Sequence, residues 1–126
     1  MSFTGVKEEF YYNGKLKSTC FECNGVRDGE YIEYYYDGTI KVICNYINGV
    51  LEGEYKKFYG NGNLWYSCNY INRTFHGEYK LFWSSGNLRT IINYKNGIYH
   101  GEYKDFYEDG ILSFQCNYIN GKQIKK

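Results

Sequence analysis

Hydrophobic and polar side chains alternate along short stretches of this chain, and the same stretches return at a fixed interval. Residues 102–107 and 111–118 form one such pair, with apolar side chains at every second position. Alternation with a period of two is typical of β-strands that bury one face. Equivalent pairs cover residues 30–35 and 39–46, 54–59 and 63–70, and 78–83 and 87–94. The pattern therefore predicts two strands in each repeated unit.

Glycines mark the period of this repeat. One set recurs every 24 residues at Gly5, Gly29, Gly53, Gly77 and Gly101. A second set is Gly14, Gly38, Gly62, Gly86 and Gly110, and a third is Gly25, Gly49, Gly97 and Gly121, with Arg73 in the remaining place. A fixed period over the whole chain indicates a repeat architecture of five units.

The dipeptides between the predicted strands indicate tight turns. Asp109-Gly110 separates the two strands of the last unit, and Asn96-Gly97 separates that unit from the one before. Asn-Gly and Asp-Gly favour two-residue type I′ hairpins, which need positive φ at both positions. At Asn72-Arg73 we expect a wider turn, because a non-glycine residue in the left-handed region costs about 1 kcal/mol. The prediction is an all-β fold, an elongated antiparallel meander of about ten strands forming a single domain over residues 1–126.

Two-residue turns fix a register that can be tested against the pattern. Within the last unit they place Tyr103 opposite Cys116, Asp105 opposite Phe114 and Tyr107 opposite Leu112. Between units they place Ile92 opposite Gly101 and Thr90 opposite Tyr103. Since the 24-residue period is even, one face is kept throughout the chain. The side chains predicted to pack on it are Tyr31, Tyr35, Ile40, Val42, Cys44, Tyr46 and their equivalents in later units.

The other face is predicted to be polar, apart from one recurring aromatic row. The row consists of Phe10, Tyr34, Phe58, Phe82 and Phe106, and across each hairpin from it we expect Lys17, Lys41, Trp65, Arg89 and Ser113. A contiguous exposed apolar patch marks an interaction site, although such a row can also simply cover the sheet. The residues predicted to bind a partner are Tyr34, Phe58, Phe82, Phe106, Trp65, Lys41 and Arg89.

Composition excludes several classes of function. The net charge is +1, with basic and acidic residues interspersed, whereas duplex nucleic-acid binding normally requires a concentrated positive patch. No apolar stretch approaches the roughly 18 residues that span a bilayer, and the N-terminus lacks a signal-peptide pattern. We therefore expect a cytoplasmic protein that does not bind nucleic acid.

The cysteines fit a structural role. Cys20, Cys44, Cys68 and Cys116 occupy one position of the unit, where the remaining unit has Ile92. A position that accepts Cys or Ile indicates a small apolar core site. Equivalent residues lie two strands apart, about 9–10 Å, which exceeds the ~7 Å limit for a disulfide. Free thiols are expected, consistent with a reducing compartment.

Catalytic and metal-binding signals are weak. His76 and His100 lie one unit apart, too far to share a metal at the expected spacing of about 9–10 Å. A lone C-x-x-C, from Cys20 to Cys23, is weak evidence for zinc or redox chemistry. No phosphate-binding or nucleophile motif occurs in the sequence. We therefore expect no enzymatic activity, no metal and no cofactor.

The phrase G-E-Y-K-x-F-[YW]-x-x-G-x-L…N-Y-x-N-G, present at residues 77–97 and 101–121, resembles the MORN repeat. It is most similar to a variant class found in bacterial proteins described as antitoxin components and in similar viral proteins. The resemblance implies an elongated, twisted antiparallel sheet. It also implies a non-catalytic role in scaffolding, self-association or phospholipid contact.

Taken together, these features favour a scaffold that binds a protein partner and forms a homo-oligomer, through the aromatic surface or an open sheet edge at residues 6–12 or 111–117. Unpaired edges invite pairing with another chain. The alternatives are a membrane-surface module that binds lipid, an antitoxin-like binder of a partner protein and a carbohydrate-binding array. The near-neutral charge argues against attraction to anionic lipid.

Overall fold

The computed structural model describes residues 2–124, which form one open antiparallel sheet. Met1, Lys125 and Lys126 of the predicted domain lie outside the described residues. The strands are β1 (Gly5–Phe10), β2 (Leu16–Cys23), β3 (Val26–Tyr34), β4 (Ile40–Ile47), β5 (Val50–Leu51), β6 (Gly53–Phe58), β7 (Leu64–Ile71), β8 (Thr74–Phe75), β9 (Gly77–Phe82), β10 (Leu88–Lys95), β11 (Ile98–Phe106), β12 (Leu112–Ile119) and β13 (Lys122–Ile124).

Strands that follow one another in the chain are neighbours in the sheet. The order is β1-β2-β3-β4-β6-β7-β9-β10-β11-β12-β13, while the short strands β5 and β8 pair with β4 and β7. The predicted meander of hairpins is therefore confirmed. The strands number thirteen rather than about ten because two long strands are interrupted before Gly53 and Gly77, and because β13 adds a short strand at the end.

The turns between units have the predicted type I′ form. Asn96 has a φ of 51° and Gly97 a φ of 80°, and Lys95 pairs with Ile98 across the turn. At the variant turn, Asn72 and Arg73 have φ values of 52° and 66°. The expectation of a wider turn there was wrong, because the surrounding strands hold Arg73 in the left-handed region.

Arg73 stands where the other turns between units have glycine, and this changes how its turn packs on the preceding turn. Gly49, the equivalent residue one unit earlier, shows the usual packing. The backbone N–H of Gly49 donates to the Arg27 carbonyl at 2.7 Å, and a Cβ on Gly49 would lie 2.9 Å from Val26 Cγ1. A side chain cannot enter such a contact without moving one turn away from the other. At the Arg73 turn a hollow of 670 Å³ is lined by Ile47, Asn48, Val50, Glu52, Asn72 and Arg73.

The turns within units differ from the prediction. In the last unit the Tyr107 N–H donates to the Ile111 carbonyl at 2.8 Å, and the Gly110 N–H donates to the Tyr107 carbonyl at 2.9 Å. Gly110 has a φ of 93°, and among the described residues Asp109 does not belong to those with positive φ. The loop therefore has three residues, a type I turn followed by a left-handed glycine, and the predicted type I′ geometry was wrong here.

This longer loop introduces a β-bulge in every hairpin. Tyr103 pairs with Cys116 and Asp105 with Phe114, as predicted, but Phe106 rather than Tyr107 pairs with Leu112. Ser113 is the extra residue, and Lys41 and Trp65 are its equivalents in earlier units. Because opposite residues share a face, Leu112 lies with Phe106 and Ile40 with Tyr34. Placing Ile40 and Leu112 on the face of the cysteines was therefore wrong.

A second irregularity lies at each junction between units. Ile92 pairs with Tyr103 and Thr90 with Asp105, whereas Tyr94 still pairs with Tyr99. The predicted pairs of Ile92 with Gly101 and Thr90 with Tyr103 were wrong by two residues. Because this shift is even, side chains stay on the predicted face.

The core is thin and lies along one face of the sheet. Cys44 is 3% exposed and Val42 is 5% exposed. The cysteines are free thiols, and the prediction of a small apolar core site is confirmed. No large side chain among the described residues is fully buried, as expected for a sheet with a single layer.

Candidate interaction surface

The face that carries the buried cysteines, here called the inner face, is covered by aromatic rings. Tyr66 stacks on Tyr55 and Tyr79, with ring centroids 5.9 and 5.7 Å apart. Ten of the connected rings, here called the aromatic floor, have contacting centroids 5.0–6.3 Å apart: Tyr55, Tyr66, Tyr70, Phe75, Tyr79, Tyr94, Tyr99, Tyr103, Phe114 and Tyr118. Trp65 adjoins them, with its centroid 6.1 Å from that of Tyr66. Phe114 is exposed and the other rings are half-buried. No second layer covers them within residues 2–124.

The N-terminal part of the inner face carries charged side chains in addition to aromatic rings. The Arg27 guanidinium lies 4.5 Å from the ring centroid of Tyr31 and 5.2 Å from that of Tyr46. It also donates to the Tyr46 hydroxyl at 3.2 Å. Lys41 Nζ lies 3.3 Å from Glu33 Oε2. Lys41 is thus paired with a carboxylate, whereas Arg27 contacts the rings of Tyr31 and Tyr46.

A ladder of hydrogen bonds joins each unit to the next along the same face. The Tyr35 hydroxyl donates to the Phe58 carbonyl and the Tyr59 hydroxyl to the Phe82 carbonyl, both at 2.6 Å. Tyr11 and Trp83 occupy equivalent positions and donate to the carbonyls of Tyr34 and Phe106. We call Tyr11, Tyr35, Tyr59 and Trp83 the aromatic ladder. It fixes the distance between units.

Three of the predicted binding residues contact the rings of this ladder. Arg89 lies 4.4 Å from the Trp83 ring centroid and Lys41 Nζ lies 5.6 Å from that of Tyr35. Trp65 stacks on Tyr59, with centroids 4.9 Å apart and ring planes 12° apart. The bulge at each hairpin turns these residues towards the inner face. Their expected position beside the outer aromatic row was therefore wrong.

The other four predicted residues form a separate group on the opposite face. Tyr34, Phe58, Phe82 and Phe106 are half-buried, and each lies opposite an aliphatic residue, as Phe58 lies opposite Leu64. Their carbonyls accept the bonds of the aromatic ladder. The structure therefore does not bring the seven predicted residues together.

A hollow of 440 Å³ opens on the inner face over the last two units. Its lining includes Trp83, Arg89, Tyr103, Asp105, Tyr107 and Ser113. The Thr90 hydroxyl donates to Asp105 Oδ1 at 2.8 Å, which holds that carboxylate in place. The hollow thus combines aromatic walls with one cation and one anion.

Burial raises the pKa of several hydroxyl and thiol groups on the inner face. It raises the pKa of Tyr70 and Tyr94 to about 12 each. The pKa of Tyr31 is raised to about 12 as well, first by burial and then by its hydrogen bond to Glu33. The pKa of the Cys44 thiol is raised to about 12 by the same cause. At neutral pH the face presents neutral phenols, which can donate hydrogen bonds.

The aromatic floor was missed from the sequence because its rings were interpreted as core. Tyr31, Tyr46 and their equivalents alternate correctly for a buried face, and the pattern does not reveal whether a second layer covers that face. The signal that points to exposure is the combination of a short repeat with two strands per unit. Such a unit has no helix or second sheet to cover its aromatic side chains.

The described residues offer little for other kinds of site. No group of three or more metal-ligating side chains occurs within residues 2–124. In the same part of the chain, no helix is long and apolar enough to cross a membrane.

A family model for the MORN repeat variant matches five segments of the chain: residues 3–21, 27–48, 51–72, 75–96 and 99–120. The five segments correspond to the five units of the sheet. No curated protein matches the sequence. MORN repeats are generally interaction or membrane-binding modules and are not catalytic. With five consecutive matches that cover most of its length, the chain belongs to the MORN repeat variant family.

Proposed function

We propose that this chain is a cytoplasmic, non-enzymatic scaffold that binds a protein partner on its inner face and associates with a second copy of itself. The observation that carries the proposal is the aromatic floor, a continuous set of rings on a sheet with no covering layer among the described residues. All of these rings but the exposed Phe114 are half-buried, and a contiguous apolar surface that stays partly exposed marks an interaction site.

The chemistry of the inner face favours a protein as the partner. Tyr, Trp and Arg are enriched in protein interfaces, because they combine large contact area with hydrogen bonding. The hollow places Trp83 and Arg89 near Asp105. A protein segment with one apolar side chain and flanking polar groups could satisfy these residues together.

A membrane surface fits the same face less well. Anionic membranes attract clusters of Lys and Arg, whereas this chain has a net charge of +1. Lys41 is already paired with Glu33. We expect no flotation with vesicles of phosphatidylserine and phosphatidylcholine at low salt, and flotation that salt abolishes would favour the lipid alternative.

The position of the binding site can be tested by filling the hollow. Ser113 lies in the hollow at the position that Trp65 occupies two units earlier. Trp65 stacks on Tyr59, so in Ser113→Trp the new ring should stack on Tyr107 without disturbing the sheet. We expect this variant to lose about tenfold or more in affinity for its partner, because the new ring fills the hollow. Loss of a central pocket contact costs about 2 kcal/mol or more, and about 1.4 kcal/mol corresponds to tenfold.

The matched control is Gln115→Trp, which adds the same ring to an exposed position on the opposite face. Proteins retained from the native cell extract by wild type and Gln115→Trp, but lost with Ser113→Trp, should be identified and their binding measured with purified protein. Equal binding by all three would contradict an inner-face site. Loss of binding only in Phe58→Ser/Phe82→Ser, with the fold intact by circular dichroism, would assign the site to the outer row.

A further inference from the structure

The N-terminal edge strand β1 is an open and regular β-edge. It pairs with β2 on one side, and the consecutive pairs run from Gly5 with Glu22 to Glu9 with Ser18. The bulge in this hairpin lies on β2, where Lys17 is the extra residue. Within the described residues no strand pairs with the other side of β1. Its backbone is therefore available to another strand.

The opposite edge of the sheet is less suited to pairing. There β12 itself carries the extra residue Ser113, and bulges disrupt the ladder that a new strand would need. In addition, β13 already pairs with Asn117, Tyr118 and Ile119. The two edges of the array thus differ, and β1 is the one without a bulge or a covering strand.

The side chains of β1 are exposed and alternate in character. Val6 is 63% exposed and Phe10 is 58% exposed, and both lie on the outer face. The Lys7 side chain lies on the inner face with Glu9. Its Nζ is 3.9 Å from Glu22 Oε2, at the limit of an ion pair, and the side chain is still 56% exposed. Glu9 Oε1 accepts a hydrogen bond from Ser18 at 3.1 Å, which leaves its second carboxylate oxygen for another donor.

Symmetry restricts how two β1 strands can meet. If a two-fold axis runs perpendicular to the sheet, inner faces stay on one side, so the numbers of paired residues must add to an even sum. Centring the axis on Glu8 places Lys7 opposite Glu9 of the second copy and Val6 opposite Phe10 of the second copy. Centring it on Lys7 or Glu9 also places two like charges directly opposite each other, but forms neither of the two Lys7–Glu9 pairs that offset this repulsion in the register centred on Glu8.

We propose that β1 of one chain pairs antiparallel with β1 of a second copy in the register centred on Glu8, so that the sheet continues through a two-fold axis. The inference rests on the proposed self-association and specifies the surface that performs it. This register forms two Lys7–Glu9 pairs on the inner face and two Val6–Phe10 pairs on the outer face. The two Glu8 side chains face each other on the outer face, which opposes pairing. The edge is short, so we expect a dissociation constant on the order of micromolar.

Charge exchange tests this register directly. Lys7→Glu and Glu9→Lys should each weaken the homodimer by about tenfold or more, because each creates two like-charge contacts. The double variant Lys7→Glu/Glu9→Lys restores both pairs and should dimerise like wild type. An equimolar mixture of the two single variants should form a heterodimer, since every inner-face pair is then complementary. Glu8→Gln should tighten the dimer.

The measurement is sedimentation equilibrium at low salt, with circular dichroism to show that each variant is folded. A wild-type dimer that both single variants leave unchanged would overturn the β1 inference while self-association stands. Failure of the folded double variant to recover the dimer would also overturn it. A wild-type chain that is monomeric at every concentration would overturn the proposed self-association as well.

Discussion

Replacing Tyr35 and Tyr59 together by phenylalanine is expected to lower the free energy of unfolding by about 2 kcal/mol, since a net hydrogen bond contributes about 1 kcal/mol. Each hydroxyl donates at 2.6 Å to a carbonyl of the next unit, on Phe58 and Phe82. The substitution keeps the rings and removes only these bonds. Urea denaturation followed by circular dichroism measures the loss.

Tyr107 supplies the matched control for this prediction. It occupies the equivalent position in the last unit but is 59% exposed, and within residues 2–124 its hydroxyl has no following unit to bond. Tyr107→Phe should therefore change the free energy of unfolding by less than about 0.5 kcal/mol. A double variant as stable as wild type, or an equal loss in Tyr107→Phe, would contradict the role of the aromatic ladder.

The second large effect is expected at alkaline pH. Burial raises the pKa of Tyr31, Tyr70 and Tyr94 from 10.0 to about 12 in the folded protein. The folded state then retains protons that the unfolded state releases. The stabilisation is complete below the unfolded phenol pKa of about 10 and is lost as pH rises towards 12. Burial also raises the pKa of the Cys44 thiol from 9.0 to about 12. Its contribution to stability is therefore lost in the same direction, from about pH 9 upward.

We expect the midpoint of thermal unfolding to fall by roughly 10 °C or more between pH 8 and pH 11, because each kcal/mol lost lowers it by about 4 °C in a chain of this size. Absorbance at 295 nm should show part of the tyrosines ionising late in the folded protein and normally in urea. Recovery after return to pH 8 controls for chemical damage. An unchanged midpoint, together with all tyrosines ionising near pH 10 in the folded state, would contradict the burial of the aromatic floor.

Local sequence patterns carried most of the information about the fold. The period of glycines and the alternation of side chains predicted the hairpins, and Asn96-Gly97 predicted its turn type. These features depend on neighbouring residues only. Strand pairing between successive segments then follows, because consecutive hairpins leave few other arrangements.

The bulges could not be predicted from the same patterns. Asp109-Gly110 is compatible with a two-residue loop and with the observed three-residue loop, since both place Gly110 at positive φ. The one-residue difference moved Leu112 to the other face. At the unit junctions the error was two residues, and agreement between faces does not detect an even shift. The alternation of faces therefore could not reveal that Ile92 and Thr90 pair two residues further along β11 than predicted.

The candidate site was predicted less well than the fold, for a related reason. Lys41, Trp65 and Arg89 lie on the inner face only because of the bulge, and the pattern placed them on the other side. The exposure of the aromatic floor depends on what lies above it, which is a property of the whole sheet. The outer row of Tyr34, Phe58, Phe82 and Phe106 remains a prediction as a binding site.

The proposed self-associating scaffold is tested most directly by the molar mass of the wild-type chain, measured by light scattering on a sizing column over a wide concentration range. One chain has a mass of 15.0 kDa. The proposal predicts a mass that rises with concentration towards twice this value. A mass that stays at 15.0 kDa at every concentration would contradict self-association.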